Sequence, residues 1–269
     1  MVAETTALAK VFENLLGPTA KYLGEEIAEF AKKRIENVRN IFLNAQGKLA
    51  DCINSPGAVP PRILAGILTD GSYREDKVAY EYFGRVLASS RTEVPKDDRG
   101  ATFVSLISRL SSYQLRLHYV IYRVFLDLYG GSNAAITESG SQYRLMTFIP
   151  ESTLLSAMHF SEREELPDTI FAHALFGLNR EELIRVEWAF GSPETLHTIG
   201  RQITGYTGAE RGLIVSASPH GVELFLHAMG AGTLPINIFF HKSVSFPPIQ
   251  GVLVQPGSQS LRHVPQASK

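Results

Sequence analysis

Ser216 and Ser218 lie within a few residues of His220 in the string SASPHG, which brings together the residue types of a nucleophile and its general base. The string lacks the G-x-S-x-G spacing of a nucleophile elbow. A serine before a proline at a helix start reads more simply as a cap. Cys52, the one thiol, follows Asp51, whose carboxylate discourages the thiolate, so it reads as a small buried hydrophobe. Asp97 and Asp98, between Lys96 and Arg99, could carry acid–base chemistry or bind magnesium. They stand just before an apolar helix, however, where acidic groups favour the positive end of the dipole. The 8 histidines form no H-E-x-x-H pattern and have no cysteine pair to complement them; His220 and His227 share a helical face without a third ligand. The glycine-rich run from Gly205 to Gly212 matches neither the P-loop nor the dinucleotide fingerprint. No catalytic residue, cofactor or metal is therefore expected.

The one dense basic segment is Lys32, Lys33, Arg34 and Arg39, tempered by Glu36 and preceded by Glu25, Glu26 and Glu29. It could hold an acidic protein partner, an anionic membrane surface or a nucleic acid; the plainer reading is the solvated face of a long helix. The Glu29–Lys33 pair has the favourable i, i+4 orientation, and the helix is dipolar rather than uniformly basic. These four residues are the candidate interaction surface.

Composition sets the frame for these groups. The chain has 269 residues, 44% apolar and 20% charged, with a formal net charge of −1 and pI near 6.7. It can bury a sizeable core, has no disulfide partner for Cys52, and shows no global nucleic-acid signal. No apolar run approaches the ~20 residues of a bilayer span, and the N-terminus shows no secretory signal, so a cytoplasmic protein is expected.

The elements that would position the segment are mostly helices. Leu8, Val11, Phe12, Leu15 and Leu16 form an apolar stripe before Gly17-Pro18. Pro18 opens a helix reaching about Ala50, with Leu23, Ile27, Phe30, Val38, Ile41, Phe42 and Leu49 along its inner side. Pro60-Pro61 starts the next. Ser72-x-x-Glu75, Ser111-x-x-Gln114 and Ser161-x-x-Glu164 have capping-box spacing. Asn179 reads as the cap of a helix to about Phe190, and Ser218-Pro219 as the start of another. Tyr143–Ile149, Gly212–Val215, Ile236–Phe240 and Val252–Val254 read as strands. The fold class expected is mainly α: a helical region over 1–110, a winged-helix-like α+β region over 111–254, and a flexible polar tail over 255–269.

Four strings in order, GPTAKYLGEEIAEFAKKRIENVRNIF, VPPRILAGILTDGSYREDKVAYEYFGRVLASS, DDRGATFVSLISRLSSYQLRLHYVIY and GLIVSASPHGVELF, resemble the abortive-infection alpha (Abi-alpha) family over about residues 15–230. Segments 130–160 and 236 onward depart from its pattern. The resemblance implies a part in bacterial defence against phage and carries no catalytic motif onto this chain. The expected function is an abortive-infection component acting through protein contacts, with a phage component or a neighbouring defence protein as partner. A winged-helix transcription regulator and a membrane-surface effector stand as alternatives. The candidate reading helix at 179–190 sets Arg180 and Arg185 against Glu181, Glu182 and Glu187, which opposes the DNA reading.

Overall fold

A computed structural model of the chain describes residues 19–50, 57–93, 97–132, 134–138, 140–160, 167–200, 203–204, 206 and 210–263. The stripe at Leu8–Leu16, the thiol of Cys52, Lys96, the box at Ser161–Glu164 and most of the glycine-rich run lie outside the described residues.

Helix α1 (Thr19–Leu49) rises about 46 Å and is docked by its C-terminal half. It meets α3 (Lys77–Ser89) along Asn37, Ile41 and Ala45, all buried. The approach is close because Gly84 on α3 has no side chain: a Cβ there would stand 2.6 Å from the Ile41 carbonyl oxygen. Asn37 secures the junction by donating to Ser72 O (2.8 Å) and accepting from the Tyr80 hydroxyl (2.7 Å). The inner face is therefore narrower than the sequence predicts. Phe30 and Phe42, assigned to it above, are exposed.

Between these helices, α2 (Pro61–Thr69) starts at its proline and buries Ile63 and Ile67. The Ser72 capping box does not form. Residues Gly71–Tyr73 make a 3₁₀ turn, and the Ser72 hydroxyl donates to Thr69 O (2.6 Å). Asp76 caps α3 instead, accepting from the N–H groups of Val78 and Ala79. Helix α4 (Arg99–Arg109) buries Phe103, Val104, Leu106 and Ile107. Ser111 and Gln114 make the expected reciprocal cap of α5 (Ser112–Tyr129).

From α5 the chain follows winged-helix order. A short helix α6 (Ser141–Arg144) leads into β1 (Met146–Pro150), then α7 (Glu151–Met158), α8 (Pro167–Arg180), β2 (Ala189–Gly191) and β4 (Gly212–Ser216). The antiparallel sheet runs β2-β4-β1, and α5 packs on α7 and α8. A simple wing is replaced by α9 (Pro193–Gly200) and β3 (Ile203–Thr204). Every residue of β1 and β4 is buried because both faces are covered: Ile149, Leu213 and Val215 join the main core, and Met146, Phe148 and Ile214 meet Leu196 and Leu261. The main core is continuous from Ile41 to Val252, so it crosses the 110/111 boundary through α3, α5 and α10 (Pro219–Ala228).

Several local expectations are corrected. Asn179 lies in the last turn of α8, and Glu182 at φ 57° breaks any continuation, so no helix covers 179–190. Ile236–Ile238 is a 3₁₀ turn after Pro235, and 252–254 is irregular. Residues 255–263 are not a loose tail. β5 (Gln259–Ser260) pairs with β1, β6 (Arg262–His263) pairs with β3, and Leu261 is buried between them. The free edge of β1 and the apolar cover that Leu261 provides explain this order.

Candidate functional site

The basic segment does not form one cationic field. Lys33 pairs with Glu75 at 3.3 Å and Arg39 with Glu36 at 3.1 Å, both in the open, where such pairs contribute little. Arg34 is half-buried: its guanidinium lies 4.2 Å from the centre of the Tyr73 ring, and its Nε donates to the Ser72 hydroxyl at 3.1 Å. Lys32 is exposed and has no ion-pair partner among the described residues.

What the structure brings beside these cations is apolar. Ala31, Ile35, Val38 and Phe42 are spaced 4, 3 and 4, the 3.5-residue repeat of a helix–helix seam. This seam lies next to the docked line of α1, facing solvent. Ile35 is 71% exposed, Leu68 on α2 44% and Phe42 41%. A groove of about 360 Å³ runs between the helices, lined among the described residues by Ala31, Arg34, Ile35, Val38, Leu68 and Ser72. Arg34 forms one wall through its stem and its stack on Tyr73. Phe42 was expected on the inner side of the helix, and Ile35 was not singled out from the sequence. Their signal was the 31-35-38-42 spacing, offset from the stripe that docks.

The strings that look chemical hold the fold. Ser218 is buried; its hydroxyl accepts from Gly221 N–H (3.0 Å) and donates to Glu182 O (2.6 Å). The Tyr122 hydroxyl donates to Leu183 O (2.8 Å) and accepts from Ser218 N–H (3.0 Å). Ser216 is buried inside β4, and His220 points outward with its Nδ1 3.8 Å from Glu223. The sequence neighbours thus diverge. Asp97 is engaged by Arg99, whose guanidinium and N–H hold its carboxyl down at about 2, and Asp98 pairs with Arg62.

Two histidines missed as a pair are buried. His118 Nε2–H donates to Gly221 O (3.1 Å), so its Nδ1 accepts from the Tyr82 hydroxyl (2.8 Å). Burial lowers its pKa to about 3, and that of His227, which stacks 4.1 Å from Phe103, to about 4. Among the described residues, His227 Nδ1 and Ser90 Oγ have no hydrogen-bond partner, and both residues line a chamber of about 20 Å³, the scale of one water molecule. A larger cleft of about 540 Å³ holds Tyr119, Arg123, Asp127 and His159. Its polar groups are tied to the walls: Arg123 pairs with Asp127 and donates to Phe246 O, and Ile249 N–H donates to the Tyr119 hydroxyl. Among the described residues no group of three His, Cys, Asp or Glu could hold a metal, and no helix is long and apolar enough to cross a membrane.

In the winged-helix part, the helix in the reading position is α8. Its exposed residues are Asp168, Thr169, His173, Phe176 and Arg180, a single fixed cation in a mixed, partly apolar set. No protein-family model, no curated protein and no solved structure matches this chain.

Proposed function

We propose that this chain is a bacterial anti-phage component of the abortive-infection type, acting through protein contacts made by the α1–α2 face. The observation that carries the reading is the solvent-facing seam of Ile35, Phe42 and Leu68 beside cations that are mostly paired or stacked. An apolar face rimmed by charge is the signature of a surface meant for another protein. The four Abi-alpha-like strings support the defence setting, with a phage component or neighbouring defence protein as the outer partner. The paired state of Lys33 and Arg39 weakens the membrane-surface alternative, since fewer free charges face an anionic leaflet.

Phage challenge of cells carrying the chain alone tests the reading. Survival of the population at low phage dose with death of infected cells at high dose is expected. Ile35→Asp and Leu68→Asp, both at exposed positions, should be normally abundant and fail to protect. Full protection by both variants would refute the working surface.

A second reading is favoured by the β2-β4-β1 strand order, the winged-helix arrangement. Fold does not decide function, and α8 offers one arginine to a groove. Steeply salt-dependent binding of the purified protein to random duplex would put the DNA reading first.

A further inference from the structure

Away from the α1–α2 face, we propose that the chamber between Ser90 and His227 binds a single water molecule, and that this water joins the ends of three helices.

The chamber lies where those helices converge. Ser90 is the C-cap of α3, Gly100 stands in the first turn of α4, and His227 is in the last turn of α10. The three helices pack pairwise. Phe103 of α4 stacks on the His227 ring and fixes its plane. Ser90 and His227 are each 6% exposed, and among the described residues neither Ser90 Oγ nor His227 Nδ1 has a hydrogen-bond partner. Two glycines of the chamber wall show where these atoms point. A Cβ on Gly100 would stand 2.2 Å from Ser90 Oγ, and one on Gly232 would stand 2.3 Å from His227 Nδ1. Each polar atom thus meets a wall with no side chain to answer it. Buried hydroxyls and imidazole nitrogens are nearly always satisfied by protein or by ordered water.

Size and charge select the occupant. The chamber measures about 20 Å³, and one water needs at least ~10–15 Å³ of such space, whereas a phosphate or an organic substrate needs far more. Asp97 and Arg99 border the same space but pair with each other at 2.7 Å, so the wall carries no unbalanced charge for an ion. The occupant is therefore neutral. It must also suit a hydroxyl, which donates or accepts, and a neutral imidazole nitrogen, which does one or the other according to tautomer. Water meets both in either case. Ser90 and His227 give it the two partners that a buried water requires.

A crystal structure of the full chain, at a resolution that orders internal waters, tests the site directly. The expected result is one peak within ~3.2 Å of both Ser90 Oγ and His227 Nδ1. A chamber without a peak, or a peak in reach of one atom alone, would overturn the proposal. So would an anomalous bromide signal there in soaked crystals, which would mark an anion site. Urea unfolding at pH 7 of Ser90→Ala, His227→Phe and the double variant gives the solution counterpart. Were the two atoms simply orphaned, an apolar replacement of either would remove a penalty and raise the midpoint. With one water serving both, each single variant lowers the midpoint, and the double variant falls by less than the sum, because the first substitution already releases the water. A raised midpoint in either single variant, or strictly additive losses, would overturn the shared water. The wild-type crystal decides independently of how well the variants fold.

Discussion

Acidification should destabilise this protein before its carboxylates are fully protonated, and the two buried imidazoles set the size of the effect. His118 is sealed between the Tyr82 hydroxyl and the Gly221 carbonyl, and His227 is stacked on Phe103 with Arg99 close by. Burial, the largest cause in both, lowers their pKa values to about 3 and about 4. In the unfolded chain both titrate near the usual ~6.5. The folded values are depressed, so the unfolded state takes up protons first as pH falls. Stability is fully present above about 6.5 and is lost progressively as pH drops through the window down to the folded values. Worked through that linkage, each histidine costs about 1 kcal/mol by pH 5.5 and about 3 kcal/mol by pH 4. The sum at pH 4, about 6 kcal/mol, is a large part of the ~5–15 kcal/mol that stabilises a typical domain. Urea unfolding at pH 7, 5.5 and 4, followed by circular dichroism, measures it. His227→Phe keeps the ring stack and removes one titration, so it should roughly halve the slope. A free energy of unfolding equal at pH 7 and pH 4 would refute the neutral, buried assignment of both rings.

Ser218→Ala should cost about 2–4 kcal/mol by thermal or urea unfolding, more than an exposed cap, because Gly221 N–H and Glu182 O both lose a buried partner. Gly84→Ala should cost about 1–3 kcal/mol, since its new methyl would press on the Ile41 carbonyl and force α1 away from α3; a neutral result would show the helices are less closely docked. Asp97→Asn, Asp98→Asn and His220→Ala should stay folded and protect in the phage assay. A stable, abundant variant of these three without protection would put an active site ahead of the contact reading.

The features legible in the sequence are those decided within a few residues. Ser111 with Gln114, and Ser218 with Pro219, cap helices where the spacing says they should, because the donors they satisfy are three residues away. Ser72 has the same spacing and fails, because Thr69 and Arg34 engage its hydroxyl and Asp76 caps α3 more directly. The apolar run at Leu183-Ile184 suggests a helix, yet both are buried through a bridge from Ile184 to Ala217 that no local pattern encodes. Phe239 and Phe240 are core residues that follow the 3₁₀ turn Ile236–Ile238, where the β-branched run had suggested a strand. The basic segment was visible as charge. Its apolar neighbours were hidden because α1 carries two adjacent stripes, and only the contact with Gly84 decides which one docks.

That choice has an energetic consequence for how the protein can work. Burying a Leu, Ile or Phe side chain contributes about 1.5–3 kcal/mol, and Ile35, Phe42 and Leu68 keep 71%, 41% and 44% of their surface in water. Covering all three would recover about 2–5 kcal/mol, at or below the ~4–15 kcal/mol that association costs. One such face against an inert surface would not hold. A partner for this face must therefore bring apolar surface and charges of its own to the groove beside Ile35 and Leu68.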